Sequence, residues 1–256
     1  MIQAVFFDCD GTILSHKTNS VPQSTKTAFE ELKKKGIKRV MATGRHTSEL
    51  DVLPVSGLEF DAYITLNGQL CLDGNRNIYS ADPIVGEELD ILLQIFNKKE
   101  VAIGLVEKDE LYINIINDEV IKAQKAINTP VPEVKEYDGK EIYAAIAFLD
   151  REHEYLVKEK LLNCKITRWD SHALDIIYKN GGKVEGIKSY LKLNNINQSE
   201  TMAFGDGEND MEMLKFVQTG IAMGNGDKEV KEIADYVTDD IDEGGIYSAL
   251  KHFGII

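Results

Sequence analysis

Ala4-Val5-Phe6-Phe7 is an apolar run that stops abruptly at Asp8-Cys9-Asp10-Gly11. A short run bounded in this way reads as a strand buried on both faces of a parallel sheet, and it carries its acids to the sheet's C-terminal edge. The chain then alternates. Pro22 opens an expected helix with Phe29 and Leu32 on one face and a stop at Gly36, after which residues 37–42 read as a strand leading to Thr43-Gly44-Arg45. A third strand over residues 62–65 leads into a hairpin expected to turn at Asp73-Gly74-Asn75.

The alternation changes character after residue 82. Pro83 is the expected start of a helix with Leu89, Leu92, Leu93 and Phe96 at helical spacing, followed by an antiparallel pair over residues 101–106 and 111–115. Helices over 119–127 and 151–162 flank a strand near 142–148, and strands over 164–168 and 173–177 close the segment. From Lys183 the β/α alternation resumes, with strands over 201–204 and 220–223 and helices from Lys183, Glu208 and Asp227. The expected fold class is therefore α/β, a Rossmann-like parallel sheet core over residues 1–82 and 181–256, interrupted by an α+β insert over 83–180.

Lys and Arg total 29 against 43 for Asp and Glu, a formal charge of −14, which leaves no electrostatic footprint for nucleic acid or anionic lipid. Cys9, Cys71 and Cys164 are odd in number and far apart, with neither zinc-site nor disulfide spacing, so a reducing cytoplasm is expected. No cationic leader and no bilayer-length apolar stretch are read, and no obligate protein partner is evident.

Two acidic clusters follow expected strands. Asp8 and Asp10 lie two apart, so in extended chain their side chains would share a side, with Gly11 allowing a tight departure. Two carboxylates so placed invite a divalent cation, which would draw in a phosphate dianion for one of them to attack. Gly205-Asp206-Gly207-Glu208-Asn209-Asp210 follows the strand at 202–204, and ligands collect at the carboxyl ends of strands in open α/β sheets. By itself this second cluster reads equally as a helix N-cap loop. Thr43-Gly44-Arg45 offers a hydroxyl and backbone amides for phosphate oxygens, and Lys183 a point charge.

Together these segments resemble the four motifs of the haloacid dehalogenase superfamily. Asp8-Cys9-Asp10-Gly11-Thr12 is similar to the nucleophile loop, Thr43 to the phosphate-binding Ser/Thr, Lys183 to the motif lysine, and residues 205–210 to the acidic metal loop. The long α+β insert, Asn67-Gly68 and Ala222-Met223-Gly224-Asn225 resemble the Cof-type branch of sugar phosphatases, which makes the insert a cap. The resemblance implies a magnesium-dependent phosphatase acting on a small phosphorylated metabolite. Asp8 would attack phosphorus, and Asp10 would protonate the leaving oxygen and later activate water. Magnesium would be held by the Asp8 side chain, the Asp10 backbone carbonyl and Asp206. Thr43, Gly44, Lys183 and Asn209 would bind phosphate, while Thr12 and Asp210 would support the loops from behind. Arg45, His46, Trp169 and His172 are candidates for contacting the organic part of the ester, with core packing the competing reading for Trp169.

Two other functions use the same residues. A phosphomutase or phosphotransferase would pass the phosphoryl group from Asp8 to a sugar hydroxyl instead of water, and a phospho-ligand sensor would only bind. The second needs no nucleophile and acid side by side.

Overall fold

A computed structural model describes residues 1–127, 129–179 and 181–256. Residue 180, where the insert is expected to close, lies outside the described residues. The first stretch runs β1 (Ala4–Phe7), α1 (Gln23–Lys34), β2 (Lys38–Ala42), α2 (Thr47–Val52), β3 (Ala62–Thr65), β4 (Leu70–Asp73) and β5 (Ile78–Ala81). The middle stretch runs α3 (Glu87–Lys98), β6 (Ala102–Val106), β7 (Leu111–Ile113), α4 (Asp118–Ala126), β8 (Glu133–Val134), β9 (Ala144–Phe148), α5 (Tyr155–Lys158), β10 (Cys164–Asp170) and β11 (Ala173–Tyr178). The last stretch runs α6 (Lys183–Asn194), β12 (Thr201–Gly205), α7 (Met211–Phe216), β13 (Thr219–Ala222), α8 (Lys228–Ile233), β14 (Tyr236–Val237) and α9 (Gly245–His252). Two compact units result, Met1–Ser80 with Gly182–Ile256, and Ala81–Gly181.

The first unit is built on one sheet in the order β14-β13-β12-β1-β2-β3-β4-β5, parallel from β14 to β3 and antiparallel between β3 and β4. Alternation along β1 serves both faces of this sheet, as a doubly covered strand requires. Val5 and Phe7 pack with Ala28, Phe29 and Leu32 of α1 and with Ile246, Ala249 and Leu250 of α9. Ala4 and Phe6 pack with Ile187, Tyr190 and Leu191 of α6, Met213 and Leu214 of α7 and Val230 of α8. Phe7 stacks on Phe204 of the neighbouring strand at 5.3 Å between ring centroids. This α/β core is the Rossmann-like architecture read from the sequence.

The second unit is a sheet in the order β10-β11-β9-β6-β7-β8, antiparallel except for β7 with β8. Leu92, Ile95 and Phe96 of α3 and Val157 of α5 cover one face, and Val120 and Ala123 of α4 pack on the other beside Phe148. Buried Asn114 ties the unit together with all its hydrogen-bonding capacity engaged. Its Nδ2 donates to the Phe96 and Val101 carbonyls at 2.7 and 3.0 Å, and its Oδ1 accepts from the Ile103 and Ile115 amides at 2.8 Å each.

Two helix expectations need correction here. Pro83 does not start a helix, because the Ile84 amide donates to the Ile142 carbonyl at 2.8 Å in an isolated bridge, and α3 begins at Glu87 with Glu87, Glu88 and Asp90 in its first turn. The helix expected over 151–162 shrinks to one turn, Tyr155–Lys158. Asp150 Oδ1 accepts the His153 amide at 3.1 Å, a local turn that competes with helix. Among the described residues no helix is long and apolar enough to cross a membrane.

Candidate active site

Phe7 pairs with Met41 of β2 and with Phe204 of β12, so the residues that follow these three strands emerge level at one edge of the first unit's sheet. The Asp8 amide still donates to the Phe204 carbonyl at 3.0 Å, which fixes the first residue beyond β1. Lys183, the first residue of α6, puts its Nζ 2.6 Å from Asp8 Oδ1 and 2.7 Å from Asp210 Oδ1. All three groups are nearly water-free, at 3% exposure for Lys183, 6% for Asp8 and 0% for Asp210.

Asp210 spends its other oxygen on the loop that carries it, accepting the Asp206 and Gly207 amides at 3.0 and 3.1 Å. The Thr12 hydroxyl donates to Asp206 Oδ1 at 3.0 Å, joining the two acidic loops. Gly11 makes that junction possible: its φ is +73°, and a Cβ there would lie 2.1 Å from Asp206 Oδ2. Asp8, Asp206 and Asp210 bring one oxygen each within 4.8 Å of one another. An all-carboxylate set of this kind suits a hard divalent ion such as magnesium. Asp8 and Asp206 each keep an oxygen with no donor among the described residues, whereas both oxygens of Asp210 are engaged.

Asp10 is not part of this carboxylate group. The extended continuation that would point it along with Asp8 is broken, and its side chain turns to Arg45, whose Nε and Nη2 donate to its two oxygens at 2.5 and 2.9 Å. Glu49 Oε1 holds the same guanidinium at 3.3 Å, and Glu49 Oε2 accepts the His46 amide at 2.8 Å. Arg45 is thus a bidentate clamp on Asp10. His46 is buried and caps α2.

The electrostatics follow from burial. Desolvation, then the Asp210 charge, push Asp8 well above the ordinary carboxylate range, against the opposing pull of Lys183. Desolvation and Asp210 likewise raise Asp206 to about 7. Burial by itself would lower the Lys183 pKa, but the Asp210 and Asp8 carboxylates outweigh it and hold the ammonium charged. Burial and the Asp10 charge push Cys9 up, so it stays a packed thiol.

Beyond β2, the Thr43 hydroxyl accepts the Arg45 amide at 3.1 Å and the Thr43 carbonyl accepts the Asn67 amide at 3.0 Å. Leu66 and Asn67 have φ of +50° and +51°; a non-glycine residue held there costs of order 1–3 kcal/mol. Gly68 follows at φ +93°, and a Cβ on it would lie 2.1 Å from the Gly182 carbonyl. The Asn67 carboxamide lies against Gly44 and accepts from Asn209 Nδ2 at 3.4 Å. Sequence reasoning took Asn67-Gly68 only as a resemblance and missed the role of Glu49. An Asn-Gly pair, tolerant of left-handed backbone, was the available signal. Trp169 and His172 belong to the second unit. Trp169 packs half-buried beside Phe148 and Ala173, and His172 Nδ1 lies 2.5 Å from Glu119 Oε2.

The haloacid dehalogenase-like hydrolase profile matches residues 5–250. YkrA of Bacillus subtilis, whose name describes a phosphatase, is 33% identical over 256 residues, covering 98% of this chain and 98% of that protein. The solved structure of the phosphatase BT1666 from Bacteroides thetaiotaomicron superposes with a TM-score of 0.92 at 32% identity, covering 100% of this chain and 96% of that one. The solved structure of BT4131, described as a subclass IIB sugar phosphatase, gives 0.86 at 36% identity, covering 99% and 100%.

Asp206 offers a test of the candidate cation site that needs no substrate. Its carboxyl is raised from 3.8 to about 7, so the stability it contributes is present below 3.8 and lost as pH rises to about 7. Metal-free wild type should therefore lose melting temperature relative to Asp206→Asn across that window. Excess magnesium at pH 8 should stabilise wild type and not the variant. A pH-independent difference, or equal stabilisation of both by magnesium, would remove Asp206 from the cation site.

Proposed function

The chain belongs to the haloacid dehalogenase-like hydrolase family, and from that membership we propose that it is a magnesium-dependent phosphatase of small phosphorylated metabolites, sugar phosphates foremost. The observation that carries this reading is the Asp8–Lys183–Asp210 array beside Asp206. It combines a nucleophilic carboxylate, a buried cation to receive phosphate charge and an oxygen set that fits magnesium. The likeness to BT4131 supports the sugar-phosphate class. Free Cys9, Cys71 and Cys164 fit a cytoplasmic enzyme.

In this reading an Asp8 carboxylate oxygen attacks phosphorus and the ester P–O bond breaks, with the departing oxygen taking a proton from Asp10. Water then attacks the aspartyl-phosphate, Asp10 accepts a proton from it, and inorganic phosphate leaves with Asp8 regenerated. Asp10 has both oxygens on Arg45, so the pair must open for either transfer. Thr43, Lys183 and Asn209 hold the non-bridging oxygens and orient the group for in-line attack. Magnesium, held by Asp8, Asp206 and the Asp10 carbonyl, would supply charge neutralisation. Thr12 and Asp210 keep the two acidic loops in register.

Asp8→Asn should abolish magnesium-dependent phosphate release from an ester panel while the protein melts as wild type does; near-normal turnover would end the covalent mechanism. Asp10→Asn should cost about 10² to 10⁴-fold for a sugar phosphate and much less for p-nitrophenyl phosphate, whose leaving group needs little protonation. Equal losses on the two esters would argue against an acid role. We also propose that residues 83–180 form the cap that selects the ester, through Trp169 and His172. Alanine at either should change kcat/KM unevenly across the panel without moving magnesium affinity. A uniform loss would assign those side chains to structure.

A further inference from the structure

The link between β3 and β4 is more elaborate than a reversal of direction requires. A two-residue turn suffices for that, yet Leu66, Asn67 and Gly68 take three successive positive φ angles of 50°, 51° and 93°. Backbone bonds hold them there, from the Leu66 amide to the Arg45 carbonyl at 3.2 Å and from the Asn67 amide to the Thr43 carbonyl at 3.0 Å. On the other side, Gly68 approaches the Gly182 carbonyl and the Lys183 amide so closely that a Cβ would lie 2.1 and 3.3 Å from them. Asn67 is thus wedged between the end of β2 and the start of α6, next to the two residues assigned above to phosphate. Strain of this kind is retained where the surroundings impose it, and it gathers at ligand sites.

The side chain completes the case. Gly44 has no side chain to exclude the carboxamide, and a Cβ there would lie 3.2 Å from Asn67 Nδ2 and 3.3 Å from its Oδ1. Asn209 Nδ2 donates to Asn67 Oδ1 at 3.4 Å, which orients the amide. Asn67 Nδ2 then has no acceptor among the described residues, and the residue is only partly buried. A neutral N–H donor left open against Gly44, one residue from Thr43, suits an anionic oxygen.

We propose that Asn67 is a further phosphate-binding residue, its Nδ2 donating to a non-bridging oxygen of the phosphoryl group held between Thr43 and Lys183, with Asn209 fixing the carboxamide through Oδ1. This rests on the phosphatase reading and adds to it a donor that carries no charge. The strained backbone is then the means by which the amide reaches the group.

Asn67→Gly separates side chain from backbone, because glycine accepts φ of +51° without strain. The variant should melt at or above the wild-type temperature and keep the magnesium concentration for half-activation. Its kcat/KM for p-nitrophenyl phosphate should fall about 10²-fold, the scale of losing one donor to a developing oxyanion. Its inhibition constant for inorganic phosphate should rise about tenfold or more. Asn67→Asp, which also tolerates this backbone, should lose still more, since it sets a carboxylate against the phosphate. An active wild type with an Asn67→Gly variant within twofold in kcat/KM and in phosphate inhibition would overturn the role of Asn67 alone. So would a variant that loses activity and melting temperature together at an unchanged phosphate inhibition constant. A wild type that neither hydrolyses phosphate esters nor binds phosphate would overturn the phosphatase reading and this residue's role with it.

Discussion

The buried ammonium of Lys183, 2.6 Å from Asp8 and 2.7 Å from Asp210, is the contact on which the arrangement of the first unit depends. It joins residues 175 positions apart in sequence, and the whole second unit, Ala81–Gly181, lies between them. Loop-closure entropy grows only slowly with length, so an insertion of this size can be carried between two strands of one sheet without forfeiting the contact. A buried ion pair is a poor source of stability, since desolvation consumes much of its Coulombic gain. Its presence here is better understood as the condition for holding acids from three positions at one strand edge.

Backbone proximity does the rest. Gly11 lets Asp206 approach the loop after β1, and Gly68 lets the turn after β3 rest on the start of α6. The Asp206 and Gly207 amides both converge on Asp210. The acidic loop is consequently shaped by its own last carboxylate, and that carboxylate is in turn neutralised by the lysine. Lys183 therefore acts on Asp206 at one remove: it pairs with the group that folds the loop which presents Asp206.

Much of this could be read in the sequence, because the physics is local. A four-residue apolar run followed by acids gave β1 and Asp8; the same pattern gave β12 and Asp206, and level strand ends in a parallel sheet brought them together. The departures came where a partner distant in sequence overrode a local signal. Pro83 suggested a helix start, but Ile84 finds Ile142. Asp10 suggested a side chain alongside Asp8, but β1 ends at Phe7 and the chain bends at Cys9, so the strand alternation does not reach Asp10, and Arg45, 35 residues on, captures the carboxylate. Asn67 was invisible as a site residue because its meaning lies in a strained backbone and in Gly44 and Asn209, none of which periodicity reports.

The two acids of the loop after β1 end in different electrostatic surroundings, and in the proposed mechanism that difference divides the chemistry between them. Asp8 is buried beside Asp210, which raises its pKa and so works against the anion that a nucleophile must be. Lys183 opposes that trend but is shared with Asp210, so one ammonium faces two carboxylates, with Asp206 nearby. A divalent ion among these oxygens would remove the remaining repulsion and keep Asp8 ionised. Asp10 lies outside this carboxylate group, only partly buried and paired with a bidentate guanidinium. In the proposed mechanism Asp8 is thereby coupled to cation binding and Asp10 to an arginine, which has to release the carboxyl before it can give or take a proton.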